Sequence, residues 1–363
     1  MTTRRIPELD GLRGVAVSLV VLSHIQSLLP GGRWPLLLAA LDVIASGALG
    51  VLIFFVLSGY LITSLLIAEH AREGGIALGA FYARRVARIF PASYLYIAVV
   101  AALALAGVAQ VSATQLGIAA LQLQNYAAVL FGPGGDGPWE GHRTLGHFWS
   151  LALEEQFYWL WPLVLLRWRR HAPMILVALV LAMPVVRVLS YLLWPASRLS
   201  LTSMFHTALD PIAVGCLLAF CRDRAGRWVA RLSDRWITAA VLFLFVATPA
   251  IAAAVEGAWT FTFGRTVESL LAALVIVVLV DRPAFWLARA MRWRPVHFLG
   301  TISFSLYLWQ ELFCLKGAAL TLPPLLAVPV SVGVAWVSWR FVEVPCQRWF
   351  RRRGVRVGAP APA

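Results

Sequence analysis

The chain has 363 residues, 60% of them hydrophobic and only 13% charged. No water-soluble domain carries that balance, and a polytopic membrane protein does. The net charge of +14 would suit nucleic acid, but the arginines lie in short loops between apolar runs, where membrane topology places them, so a nucleic-acid partner is excluded.

The first apolar run, 12–29, is long enough to cross a bilayer as a helix. Asp10 and Arg13 interrupt its approach, so it reads as a retained span and not as a cleavable signal peptide. Arg13 and His24 are eleven residues apart. On a helix they fall within ~20° of each other around the axis and ~16 Å apart along it. One face thus carries a fixed cation near one membrane surface and an imidazole within the apolar layer. Ionisable groups at such depth are costly and usually functional. The plain alternative is a histidine bonded to a neighbouring backbone and a topogenic arginine.

Ten spans are expected: 12–29, 47–67, 91–109, 147–166, 172–193, 206–221, 236–254, 265–281, 297–316 and 324–341. The run 113–131 is ambiguous because it holds Gln115, Gln122, Gln124 and Asn125. Charge decides it. If 113–131 does not cross, 24 basic residues fall in loops on the N-terminal side and five on the other. The positive-inside rule then gives an all-α bundle of about ten transmembrane helices with both termini cytoplasmic. The segment 110–146 becomes an outer loop, and Gly-Pro-Gly-Gly-Asp-Gly-Pro at 132–138 reads as a turn region. Residues 1–345 form one membrane-embedded domain, and 346–363 a basic cytoplasmic tail, amphipathic at first and then Ala-Pro-rich and disordered. Cys216, Cys221, Cys314 and Cys346 have neither metal-ligand nor disulfide-framework spacing, and no metal is expected.

Several stretches can carry chemistry. Small residues in Gly47–Thr63 permit close helix packing. In Phe81-Tyr-Ala-Arg84-Arg85-Val-Ala-Arg88-Ile-Phe-Pro91, Arg84 and Arg88 are i,i+4 and share a face, and clustered guanidinium groups suit phosphates. The alternative is topology alone. Within His147-Phe-Trp-Ser150-Leu-Ala-Leu-Glu154-Glu155-Gln-Phe-Tyr158, two adjacent carboxylates in a span are hard to explain as lipid-facing, unless one pairs with Arg187 or Arg13. His206 and Asp210 are i,i+4 and form a candidate pair, or a polar helix contact. Ser305-Leu-Tyr307-Leu-Trp-Gln310-Glu311 closes the series.

Leu-Asp-Gly followed by Arg-x10-His closely resembles the start of the acyltransferase-3 family of integral membrane acyltransferases. The resemblance continues through Phe-Phe-Val-Leu-Ser-Gly-Tyr-Leu-Ile at 54–62, Arg-Arg-x-x-Arg-Ile-x-Pro at 84–91, Ser-x3-Glu-x2-Phe-Tyr at 150–158 and Ser-Leu-Tyr-Leu-Trp at 305–309. This chain departs from the family pattern at Leu52, where many relatives have an acid, at Ala208, often Arg, and at Gln310, commonly His. The fused extracytoplasmic hydrolase-like domain of some relatives is not expected here.

The resemblance implies transfer of an acyl group, commonly acetyl from acetyl-CoA, to a hydroxyl of a carbohydrate, glycolipid or glycosylated natural product, by a multi-pass protein of the cell (inner or plasma) membrane. Acyl transfer to an alcohol needs a base and donors for the tetrahedral oxyanion. His24 is the candidate base and Glu154 its carboxylate partner, because Asp10 lies too far along the helix. Arg13, Arg84, Arg85 and Arg88 are candidates for the acyl-CoA phosphates. Asp10, Tyr158, Tyr307 and Gln310 are candidates for contacts to substrate, Gln310 as a hydrogen-bonding side chain. The rival class is a transporter or flippase for a sugar or lipid. That class often shows internal repeats, and none is evident here.

Overall fold

The computed structural model describes residues 6–29, 41, 45–131, 144–255 and 257–352. The 132–138 turn region, Arg4, Arg5, Arg33, Arg143 and the Ala-Pro tail lie outside the described residues. Among those described there is no β-strand. The main helices are α1 (Pro7–Gln26), α2 (Gly47–Glu73), α3 (Leu78–Leu105), α4 (Phe148–Trp168), α5 (Ala172–Leu193), α6 (Asp210–Val229), α7 (Asp234–Ala254), α8 (Gly264–Asp281), α9 (Arg294–Thr301), α10 (Ser303–Cys314) and α11 (Pro324–Phe350). α1 opens on Pro7, whose missing N–H is harmless in a first turn, with Glu8 and Asp10 at the positive end of the helix dipole.

Among the described residues, five helices are long and apolar enough to cross a membrane: α2, α3, α5, α7 and α11. Of these, α2 is the most buried, while α5, α7 and α11 turn most of their surface outward, presenting Leu181, Leu193, Leu242 and Leu325. The other expected crossings fall on shorter or more polar helices. α1 carries Asp10 and Arg13, α4 carries Glu154 and Glu155, and α6 carries Asp210. Such helices need neighbours to shield their polar groups within a bilayer.

Two boundaries differ from expectation in ways that matter. α3 begins at Leu78, so the arginines at 84–88 sit on the helix and not in a loop before it. The expected span 297–316 is two helices, α9 and α10, broken at Ile302. The ambiguous run 113–131 is broken as well. It holds a helix Ala113–Ala120, a residue in the left-handed region (Gln122, φ 55°), one 3-10 turn at Gln124–Tyr126 and a short helix Ala127–Phe131. Eight helical residues rise only ~12 Å, well short of the ~30 Å hydrocarbon layer. At the other end of the chain, α11 continues through a π-turn at Trp339–Glu343, and helix persists to Arg352.

The centre is set by backbone approaching backbone. A Cβ on Gly14 would stand 2.1 Å from the Val296 carbonyl oxygen, and one on Gly300 only 1.7 Å from that of Asp10. α1 is therefore pressed against α9. Gly59 and Gly215 do the same for α2 and α6, each aimed at a carbonyl of the other helix at 2.1 Å. Small residues at such crossings are how helices associate closely where hydrophobicity cannot drive them together. The result is an α1–α2–α6 core, with α10 against α1.

Candidate active site

α1 supplies the axis of the site. Near its start Arg13 Nη1 donates to Asp10 Oδ1 at 3.0 Å, the i,i+3 pair allowed by the helix pitch. Asp10 Oδ2 also lies 3.8 Å from His297 Nε2 on α9. Near the other end His24 Nδ1 is 2.7 Å from Gln310 Oε1 on α10. The Gln310 amide nitrogen faces the Tyr307 carbonyl at 3.4 Å, which turns Oε1 towards the imidazole. In the neutral ring Nδ1 then carries the hydrogen and donates, leaving the Nε2 lone pair as the acceptor. His24 is half-buried rather than enclosed. The expected partner of His24 is Glu154. The structure gives Gln310 instead, so a neutral amide and not a carboxylate orients this ring, and Gln310 is engaged with protein rather than open to substrate.

The arginines divide. Arg84 Nη2 donates to Glu69 Oε2 at 3.0 Å, pinning α3 to α2 beyond the membrane-facing run. Arg84 and Arg88 lie on one helix at i,i+4, as their spacing predicts, with the Glu69 carboxylate paired to the first. Arg85 instead lies over the Tyr158 ring, 5.0 Å from its centroid. Arg88 is within electrostatic reach of both Arg13 and the buried Glu343. Arg13, Arg85 and Arg88 thus lie within electrostatic reach of one another from α1 and α3, with Asp10, Glu154, Glu155 and Glu343 as the carboxylates around them.

On α4, Glu154 accepts a short hydrogen bond from Tyr158, one turn later, and Tyr158 also meets Ser58 of α2. Neither Arg13 nor Arg187 pairs with Glu154 or Glu155 through a salt bridge in the described residues. Arg187 is fully buried and bonds Asp210 Oδ1 at 2.8 Å. His206 and Asp210, read as a candidate pair or a polar helix contact, do not share a helix, because α6 begins at Asp210. His206 lies between the Tyr126 and Trp194 rings, each 19° from parallel, and Tyr126 Oη is 3.1 Å from its Nδ1. Partial burial raises the pKa of the Tyr126 phenol, so it stays protonated against the ring.

Other polar groups complete the column. Glu311, the neighbour of Gln310, accepts from both the backbone N–H of His147 (3.1 Å) and its ring Nδ1. Tyr307, one turn before Glu311, meets Ser150 Oγ at 2.5 Å. α4 therefore grips α10 at two points a turn apart, with Gln310 between them. Glu343, at the π-turn of α11, accepts from Ser305 of the same α10. Glu311, inside the expected span 297–316, is legible by the rule that singles out Glu154, a carboxylate in apolar surroundings. His147 has no such signal, since its position at the head of the Ser150–Tyr158 motif does not reveal its partner. Among the described residues no group of three or more His, Cys, Asp or Glu is placed to hold a metal, and the four cysteines are free.

These contacts put an imidazole held by a neutral amide and a cluster of cations on a single helix bundle. The O-acetyltransferase OatA of Staphylococcus aureus is 28% identical over 390 residues, covering 99% of this chain and 59% of its own length. The peptidoglycan O-acetyltransferase OatA of Listeria monocytogenes is 26% identical over 372 residues, covering 94% and 56%. A putative O-acetyltransferase of Staphylococcus aureus is 27% identical over 398 residues, covering 97% and 58%. The chain thus spans under three-fifths of the length of these relatives. No solved structure matches it. The acyltransferase domain of the Acyl_transf_3 family matches residues 6–342, nearly the whole chain, and the chain belongs to that acyltransferase-3 family.

Proposed function

We propose that this chain is a multi-pass O-acyltransferase of the cell membrane that moves an acyl group, acetyl in the simplest case, from acyl-CoA to a hydroxyl of a carbohydrate. The observation that carries the reading is the His24–Gln310 contact, which leaves Nε2 as the acceptor. His24 stands on the same helix face as Arg13. In the reaction the hydroxyl oxygen attacks the thioester carbonyl while His24 Nε2 takes its proton. The tetrahedral intermediate collapses, the C–S bond breaks, and the proton passes to the departing CoA thiolate. Arg13, Arg85 and Arg88 would hold the CoA phosphates, since guanidinium forks match phosphate oxygens. A carbohydrate acceptor is supported by the Listeria monocytogenes relative, which is a peptidoglycan O-acetyltransferase. Asp10, Tyr158 and Tyr307 remain candidates for substrate contacts, and Glu154 for a catalytic one through Tyr158.

The same reading takes ten crossings, both termini in the cytoplasm and 1–345 as the membrane domain. Breaking of 113–131 into short pieces supports it, because the later basic loops then stay on the N-terminal side. The test is turnover in lipid nanodiscs with labelled acetyl-CoA and an oligosaccharide acceptor. Acceptor-dependent CoA release that His24→Ala abolishes is expected. Sugar or lipid movement without CoA release would replace the reading with a transporter.

A further inference from the structure

Outside the residues of that column, the start of α7 and the segment after α8 form the two walls of a cleft of about 510 Å³. On the α7 wall, Arg235, Thr238 and Leu242 stand at i, i+3 and i+7, the spacing of one helix face. On the other wall, Trp286 and Arg289 are i,i+3 on a short helix, Trp286–Met291. The walls are tied together twice. The Trp286 indole donates to Thr238 Oγ1 at 3.2 Å, and Arg282 Nη1 donates to Asp234 Oδ1 at 2.7 Å. Asp234 also lines the cleft, so the second bond offsets its charge. Arg235 and Arg289 have no such partner. Both are exposed, both line the cleft, and neither guanidinium makes a hydrogen bond or ion pair among the described residues. The cleft thus has two open cations on its walls that the chain itself leaves unanswered.

Position says what meets them. α7 is long and apolar enough to cross a membrane and turns most of its surface outward, with Leu242 and Phe243 exposed on it. Trp236, next to Arg235, and Trp286, one turn before Arg289, are exposed as well. Indoles in such places mark the membrane–water interface. From Arg235 to Leu242 the lining passes from charged to apolar within about 10 Å of helix. That is the profile of a phospholipid, head first and acyl chain after. A zwitterionic head carries a cation of its own, which the guanidinium groups repel, and an anionic head does not. Basic pockets between membrane helices hold anionic head groups by this chemistry.

We propose that this cleft is a site for an anionic phospholipid, its phosphate accepting from Arg235 and Arg289 and its acyl chain running along α7 past Leu242. The site lies outside acyl transfer and does not depend on that reading. Native mass spectrometry of the delipidated full chain, titrated with phosphatidylglycerol, phosphatidylcholine or acetyl-CoA, tests it. Wild type should retain the first phosphatidylglycerol about fivefold or more better than phosphatidylcholine, the factor expected from a single arginine at a head group. Arg235→Gln with Arg289→Gln should erase that preference, and both positions are exposed, so the fold is not at stake. Ala239→Trp fills the cleft from an exposed lining position and keeps both arginines. It should cut phosphatidylglycerol retention to a similar degree. Arg224→Gln with Arg231→Gln removes two exposed charges outside the cleft and should change nothing. An undiminished preference in the variant lacking Arg235 and Arg289 would overturn the site. So would an equal loss in the variant lacking Arg224 and Arg231, which would reduce the effect to general surface charge, or full retention by Ala239→Trp. Displacement of phosphatidylglycerol by acetyl-CoA would overturn the lipid as the occupant.

Discussion

Replacing Gln310 with Leu keeps the volume of the side chain and removes the oxygen 2.7 Å from His24 Nδ1, together with the amide nitrogen 3.4 Å from the Tyr307 carbonyl, which as a helical carbonyl keeps its backbone partner. The imidazole N–H is then left without its partner in a half-buried position. An unmet donor of this kind costs about 1–3 kcal/mol when buried, and partial water access takes the figure to the lower half of that range. If the bond serves to hold Nε2 as the acceptor, its loss falls on the transition state, where the ring must be aligned to receive a proton. At 1.36 kcal/mol per factor of ten, kcat should drop on the order of 5–30-fold, with KM for acyl-CoA unchanged because the cations at 13, 85 and 88 are untouched. His24→Ala should lose ~10²–10⁴-fold. Adding Gln310→Leu to His24→Ala should cost nothing further, since the two residues act as one unit. The assay is acceptor-dependent CoA release by purified protein in nanodiscs, with both kcat and KM determined. A Gln310→Leu enzyme with wild-type kcat, or a double variant clearly slower than His24→Ala alone, would refute the reasoning.

Arg85→Gln with Arg88→Gln should weaken acyl-CoA binding by about 1.5–3 kcal/mol for each guanidinium–phosphate bond removed, read by titration calorimetry. Arg84→Gln should leave that affinity alone and lower thermal stability slightly, because its bond is to Glu69. Glu311→Leu strips the acceptor from two His147 donors and should destabilise the fold by roughly 1–3 kcal/mol, seen as a lower melting temperature in detergent. Cysteine labelling should report Gln122 outside and Ala225 inside intact cells, and a cytoplasmic Gln122 would undo the ten-span arrangement.

Which features are legible in the chain follows from what each signal depends on. The membrane character and the all-helical class follow from composition and long apolar runs. The face shared by Arg13 and His24 follows from helix pitch, and α1 is continuous between them. Partners across helices are not legible, because pitch says nothing about which helix lies opposite. Gln310 faces His24 from 286 residues away, and the reach of Glu69 to Arg84 depends on the angle of the α2–α3 turn. Depth along an axis makes Glu154 a reasonable partner for His24, and depth does not reveal the hydrogen bond that Glu154 accepts from Tyr158 on its own helix. Arg187 is hidden as a partner for Asp210 because α5 reads as lipid-facing on every other side. Glu343 is hidden because the last apolar run ends at 341, two residues before the carboxylate.

The glycines that bring α1 onto α9 and α2 onto α6 also govern what this protein can become. A carbonyl standing 2.1 Å from where a Cβ would be admits no substitution, so the distance and angle between the helix bearing His24 and its neighbours are fixed by the main chain itself. Selection acting on side chains cannot tune that spacing in small steps. Change has room elsewhere: in the broken run 113–131 and the Tyr126–His206–Trp194 stack, where helices are short and the packing is ring against ring. A bundle built this way can change at its rim while the placing of α1 against its neighbours is inherited unchanged.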